Sequence, residues 1–282
     1  MRGKTVLVTG ANTGIGLETA AGLAAMGAEV VITSRDATKG TAAVDEIRRR
    51  HPDAKVDVME LDLSRLEDVR RFAADFNERF PQLNVLVNNA GLILADRELT
   101  EDGFESTFQI NHLGPFLLTC LLLDKLKASA PSRIINVASA AHRSGRLDFG
   151  DLQSERGYSK MRAYGTTKLC NILFAKDLAR RLEGTGVTAY SLHPGTVRTG
   201  FGKDGDTKGL FALGVKIIGP FILTPAGGAK TSIHVASAPG IEGHSGSYFQ
   251  RSKLAKPSPA ARDEEAARRL WEASADLLHI DA

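Results

Sequence analysis

Tyr164 and Lys168 are spaced for proton transfer, four residues apart in Tyr164-Gly165-Thr166-Thr167-Lys168. On a helix, that spacing puts both side chains on one face, one turn apart. A phenol ordinarily ionises near ~10 and keeps its proton at neutral pH. An ammonium group held close favours the phenolate and lowers that pKa, which equips Tyr164 to act as general acid or base. A Y-x-x-x-K pair also describes many exposed helix surfaces, so the elements around it decide.

Strand and helix patterns alternate from the N-terminus. Apolar or β-branched runs predict strands over 5–8, 29–33, 55–61, 84–87, 133–137 and 187–192, with a last one at Ser247-Tyr248-Phe249. Helical patterns fill the intervals, to about residue 26, then over 37–50, 65–79, 101–127 and 160–183. Alternation of this kind implies parallel pairing through right-handed crossovers. The expected fold is α/β: one domain over 1–282 with a doubly wound, mostly seven-stranded parallel sheet and helices on both faces. Residues 194–224, rich in Gly and Pro with apolar groups between, read as a substrate-facing loop or lid. Pro225 opens a helix, and Pro257 and Pro259 break the chain before a C-terminal helical segment over 260–282.

Composition excludes several classes. A net charge of +3 without a Lys/Arg stripe argues against nucleic acid. Arg48-Arg49-Arg50 ends a predicted helix, where cations suit the dipole. Cys120 and Cys170 make neither a disulfide framework nor a metal site and read as core residues of a reducing compartment. Strand residues begin almost at the N-terminus and no apolar run is long enough to span a bilayer, so the expected location is cytoplasmic.

The first strand-to-helix turn is Thr9-Gly10-Ala11-Asn12-Thr13-Gly14-Ile15-Gly16. Glycines there let the backbone turn tightly and approach a pyrophosphate, while the helix N-terminus presents free N–H groups. The second strand ends in Ser34-Arg35, where an NAD-specific site would place an acid on the ribose. A guanidinium can pair with a 2′-phosphate, with Ser34 and Lys39 assisting, so NADP(H) is favoured over NAD(H). Asp62-Leu63 closes the third strand; the carboxylate suits either an adenine amino group or the cap of the next helix. Asn88-Asn89-Ala90-Gly91 ends the fourth strand and fits a backbone lying against a cofactor. Ser139 follows the fifth strand, at the sheet edge where ligands bind in such folds.

Together these motifs, in this order over residues 4 to about 250, resemble the short-chain dehydrogenase/reductase family. Arg35-Asp36 with Lys39-Gly40, 138–145, Asn171-Ile172-Leu173-Phe174 and His193-Pro194-Gly195-Thr196-Val197 look most like its retinol dehydrogenase-like members. The resemblance implies a Rossmann-fold oxidoreductase interconverting a carbonyl and an alcohol. It implies Asn111, Ser139, Tyr164 and Lys168 as the catalytic set. Ser139 would hydrogen-bond the substrate oxygen, Tyr164 exchange its proton, Lys168 hold the nicotinamide ribose, and Asn111 interrupt its helix to leave a carbonyl for a water. The cofactor would touch Gly10, Asn12, Thr13, Gly14, Ile15, Gly16, Ser34, Arg35, Lys39, Asp62, Leu63, Asn88, Ala90, Gly91, Tyr164, Lys168, Pro194, Gly195, Val197 and Thr199.

Ser139 and Tyr164 lie further apart than in most family members, so 140–163 adds a loop near the substrate. Its His142 reads as a surface histidine outside the catalytic set. The apolar N-terminal segment of the membrane-anchored retinol enzymes is not found here, which favours a soluble enzyme for a lipophilic or aromatic carbonyl compound. By resemblance, the helices around 101–127 and 160–183 would pair subunits into a homodimer or homotetramer. Two other readings remain: a carbon–carbon double-bond reductase like the protochlorophyllide reductases, and a non-catalytic NADP(H) sensor. The four intact residues argue against a sensor, which needs no proton donor.

Overall fold

The computed structural model describes residues 1–196 and 223–281. Its helices and strands are β1 (Thr5–Val8), α1 (Gly14–Ala25), β2 (Glu29–Ser34), α2 (Ala37–Arg50), β3 (Lys55–Glu60), α3 (Leu66–Arg79) and β4 (Val85–Asn88). They continue with α4 (Ser106–Phe108), α5 (Gly114–Leu121), α6 (Leu123–Ala128), β5 (Ser132–Val137), α7 (Lys160–Arg181) and β6 (Val187–His193). Last come α8 (Pro225–Ser237), β7 (Tyr248–Gln250), β8 (Lys253–Ala255) and α9 (Glu264–Leu278).

The sheet order is β3-β2-β1-β4-β5-β6-β7-β8, parallel from β3 through β7. Alternate strand residues feed two apolar layers. Leu7, Val31, Leu86 and Ile134 point to the side of α3, α5, α7 and α9. Val6, Val30, Val85 and Ile135 point to the side of α1, α2 and α8. That period of two, with both faces apolar, is what a sheet covered on both sides requires.

Beyond the seven parallel strands lies an eighth. β8 turns back antiparallel on β7 through Arg251 and Ser252, at φ 51° and 58°. Tight hairpins favour Asn-Gly in this left-handed region, so Arg-Ser gives no signal in the sequence. Here the turn is held from outside, Ser252 N donating to Thr231 Oγ1 at 3.2 Å.

The expected helical stretch over 101–127 is divided into several pieces. A short α4 runs into a π-helical turn at Gln109–Leu113, then α5 and α6. The C-terminal helix α9 packs against α7 and reaches Phe116 of α5. Trp271 packs on Phe116 (4.8 Å between centroids) and Phe174 (5.8 Å), with the Arg181 guanidinium 4.1 Å over its ring. His112 Nε2 lies 2.8 Å from Ser274 Oγ. Among the described residues no helix is long and apolar enough to cross a membrane.

Candidate active site

The glycine loop is shaped for close approach. Gly10 and Gly14 adopt φ 59° and 62°, where side chains are disfavoured. A Cβ on Gly10 would lie 2.9 Å from Ala90 Cα, and one on Gly16 would lie 2.6 Å from Gly10 O. Thr13 begins α1 without a side-chain cap, and the first turn holds no acidic residue. Its leading N–H groups and positive dipole end therefore remain for an anion. The end of β4 fixes this loop. Thr9 Oγ1 accepts from Asn89 N and Ala90 N, both at 3.0 Å, and Asn89 Nδ2 donates to Thr9 O at 2.8 Å.

Tyr164, Lys168, Ser139 and Asn111 converge at the carboxyl ends of β4 and β5. Lys168 is buried; its Nζ donates to Val137 O at 3.2 Å and lies 5.5 Å from the Tyr164 ring centroid. Burial lowers its pKa to about 8. The Tyr164 side chain hydrogen-bonds Ser139. A Cβ on Gly91 would stand 3.1 Å from both Lys168 Nζ and Asn111 Oδ1. The Asn111 side chain is fully committed: Oδ1 accepts from Leu92 N at 2.7 Å, and Nδ2 donates to Leu92 O at 2.8 Å and Thr167 Oγ1 at 3.0 Å. It pins the 91–92 backbone to α7 from inside the π-helical turn, which meets the expectation of an interrupted helix.

With a dinucleotide cradle and a Ser-Tyr-Lys cluster at one sheet edge, comparison with known proteins is decisive. Residues 4–208 match the family model described as short chain dehydrogenase. The chain belongs to the short-chain dehydrogenase/reductase family. It is 48% identical to Retinol dehydrogenase 12 of Homo sapiens over 278 residues, covering 99% of this chain and 87% of that one. Identity to Retinol dehydrogenase 11 of Homo sapiens is also 48%, over 282 residues, with 99% and 86% covered. Among solved structures, a protein from Mycobacterium paratuberculosis superposes with TM-score 0.79 at 35% identity, covering 99% of this chain and 95% of that one. The Pseudomonas aeruginosa RhlG/NADP complex gives TM-score 0.71 at 26% identity, covering 89% and 95%. This short-chain dehydrogenase is thus an oxidoreductase of the carbonyl/alcohol class, similar to the retinol dehydrogenases.

Several residues of the dehydrogenase differ from expectation. Tyr164 does not show a lowered pKa: burial raises it, and the Ser139 hydrogen bond only partly opposes this. Asn88 directs its side chain into the core, donating to Thr119 Oγ1 at 3.0 Å and Asn136 Oδ1 at 2.9 Å, so only its backbone can face a cofactor. Asp62 does not cap α3. Its Oδ1 accepts from Ser64 N at 2.9 Å, and the α3 cap comes from Asp102 Oδ2, which accepts from Leu66 N at 2.9 Å. Leu63 beside it is buried. The Ser34 hydroxyl is tied to Asp36 O at 2.8 Å. Arg35 and Lys39 are exposed at the same edge, and Asp36 caps α2 through Lys39 N at 3.0 Å.

His142 is not on the surface. It is 1% exposed, with Nδ1 2.6 Å from Ser139 O and Nε2 3.1 Å from Ser258 N. The added loop is tied to the segment after β4 by Arg97 Nε donating to Gln153 O at 3.0 Å and Tyr158 OH to Leu94 O at 3.2 Å. Pro194 and Gly195 leave β6, Gly195 at φ 94°. Val197, Thr199 and most of the expected lid lie outside the described residues. Asn89, Thr9 and Thr167 were missed as positioning residues. The Asn-Asn-Ala-Gly motif pointed at Asn89, but only the fold shows that it grips the glycine loop.

Gly91→Val is expected to lower turnover by about 10²-fold through displacement of Lys168 and Asn111. Steady-state kinetics beside a thermal melt check this; full activity would mean the Lys168 amine is not held where it matters.

Proposed function

We propose that this short-chain dehydrogenase interconverts a lipophilic carbonyl compound and its alcohol with NADP(H), Tyr164 exchanging the proton. The observation that carries the reading is the convergence of Ser139, Tyr164 and Lys168 beside Gly91, where no side chain intervenes. The residues present fit the dinucleotide. The Gly10–Gly16 loop and uncapped α1 would hold its pyrophosphate, Arg35 and Lys39 a 2′-phosphate, and Lys168 the ribose hydroxyls. Asp36 caps α2 through Oδ1 and its Oδ2 lies 3.9 Å from Lys39 Nζ, an exposed pair from which a 2′-phosphate would draw Lys39. When bound, the cofactor supplies or accepts the hydride.

In reduction, the Ser139 hydroxyl donates to the carbonyl oxygen and the Tyr164 hydroxyl delivers its proton as negative charge develops there. Burial keeps Tyr164 protonated at neutral pH, which suits a donor. Lys168, with its pKa of about 8, can restore that proton near neutrality. The retinol dehydrogenase relatives support a long apolar substrate.

Calorimetric titration with NADPH and NADH, followed by turnover of retinaldehyde, alkanals and aromatic ketones, tests the reading. Product analysis showing a reduced carbon–carbon double bond, or cofactor binding without turnover on any carbonyl, would overturn it. Arg35→Asp is expected to weaken NADPH binding about 10- to 100-fold, the loss of a charge-assisted hydrogen bond. An unchanged NADPH:NADH ratio would remove Arg35 from the site.

A further inference from the structure

The 3₁₀ turn after Ser139, Ala140–Arg143, carries a histidine that no step above uses. The His142 ring has an acceptor at one nitrogen, Ser139 O at 2.6 Å, and a donor at the other, Ser258 N at 3.1 Å. A carbonyl oxygen only accepts and a backbone N–H only donates. Nδ1 must therefore carry the proton and Nε2 a lone pair. The surroundings select one form of the ring, neutral and protonated at Nδ1. A proton on Nε2 would set N–H against N–H and break the link to Ser258.

The same ring bears on Ser139 geometry. Ser139 O accepts a second time, from His142 N at 3.1 Å, while Ser139 Oγ accepts from Ala141 N at 3.2 Å. The hydroxyl proton of Ser139 is thereby left for the phenol or a substrate oxygen. On its other side the turn meets α7 without slack. A Cβ on Gly165, the residue after Tyr164, would lie 2.7 Å from Ala141 O, and one on Gly145 would overlap Gly165 O. The turn is wedged between α7 and the Pro257-Ser258 segment, and His142 is the strut on the second side.

We propose that His142 is a positioning residue whose neutral, Nδ1-protonated ring sets Ser139 against Tyr164 and couples that pair to the segment leading into α9. The inference rests on the proton-transfer reading above. The titratable and charged groups facing the ring come from three elements. Arg143 lies on its own turn and donates to Lys256 O at 3.4 Å. His193 approaches from β6, itself subject to Arg251, and Tyr248 from β7 has its ring centroid 5.4 Å away. Burial and then Arg143 hold the His142 pKa below the ordinary range, against the opposing Ser139 carbonyl. Activity that needs the neutral ring is present above that folded pKa and lost as pH falls through it.

His142→Gln keeps one donor and one acceptor but does not titrate; His142→Leu removes both. With carbonyl reduction measured from neutrality down to the lowest pH at which the fold survives, His142→Leu is expected to lower kcat about tenfold or more while KM for NADPH stays within about twofold. His142→Gln is expected to hold kcat within about threefold near neutrality and to lose the acid limb of the wild-type profile. Ring ¹⁵N spectra of the wild type should show Nδ1–H and a bare Nε2. An Nε2–H ring, an acid limb retained by His142→Gln, or an unchanged kcat in His142→Leu would each overturn the proposal. If His142→Leu fails to fold, the Gln variant and the spectra decide. No turnover by the wild type would sink the parent reading instead, and the spectra separate that failure from this one.

Discussion

Replacing Tyr164 by phenylalanine is expected to lower turnover about 10²- to 10⁴-fold, the range of a positioned proton donor. NADPH affinity should stay within about twofold, because the ring and its packing beside Lys168 remain. The substitution removes one oxygen, the atom that meets Ser139. Lys168 keeps its bond to Val137 O and its place beside Gly91. NADPH consumption and calorimetric binding measured on the same preparation separate the two effects. Retention of more than about a tenth of the rate would hand the proton to another group, for which Ser139 is the nearest candidate.

Trp271→Ala should be the most destabilising single change outside the sheet, costing about 3–5 kcal/mol. The indole is 4% exposed and is wedged among Phe116, Phe174 and Arg181. For a chain of this size such a loss lowers the thermal midpoint by roughly 10 °C. Arg181→Ala, which removes the stacked cation together with its ion pair to Asp177 at 2.7 Å, should cost about 1–2 kcal/mol, less than the indole. Urea unfolding of both variants tests the contrast. Equal, small effects would mean that α9 lies loosely on α5 and α7.

The sheet and its helices were legible in the sequence wherever one period and one boundary signal agreed. β1 and α2 fall on the expected residues because the apolar run of β1 gives way to Thr9-Gly10 and because Asp36 is an N-cap residue. Asn111 marked an interruption within 101–127, but the π-helical form of the break was not legible, because the residues that shape it lie elsewhere in the chain. What divides it is tertiary: Asn111 bonds Leu92 and Thr167 rather than its own helix. β8 was hidden because its turn draws on Thr231 instead of a glycine. His142 looked superficial because its second partner, Ser258, lies far along the chain. Tyr164 and Lys168 were legible as a pair, since four residues on a helix fix their common face. The direction of the Tyr164 shift was not, because burial outweighs the opposing Ser139 hydrogen bond and burial belongs to the fold. Gly10, Gly14 and Gly16 were readable because few sequences other than a phosphate loop put glycine there between a strand and a helix.

The chain has one tryptophan, and it sits in the seam between α9 and the helices beneath. Intrinsic fluorescence excited at that indole is therefore a local gauge of whether the last helix is docked. A red shift during denaturation would time the opening of that seam, to be compared with the loss of helix and strand seen by circular dichroism. If the two transitions coincide, α9 belongs to the same cooperative unit as the sheet. If the fluorescence moves first, the last helix is a separable layer that opens before the Rossmann core gives way.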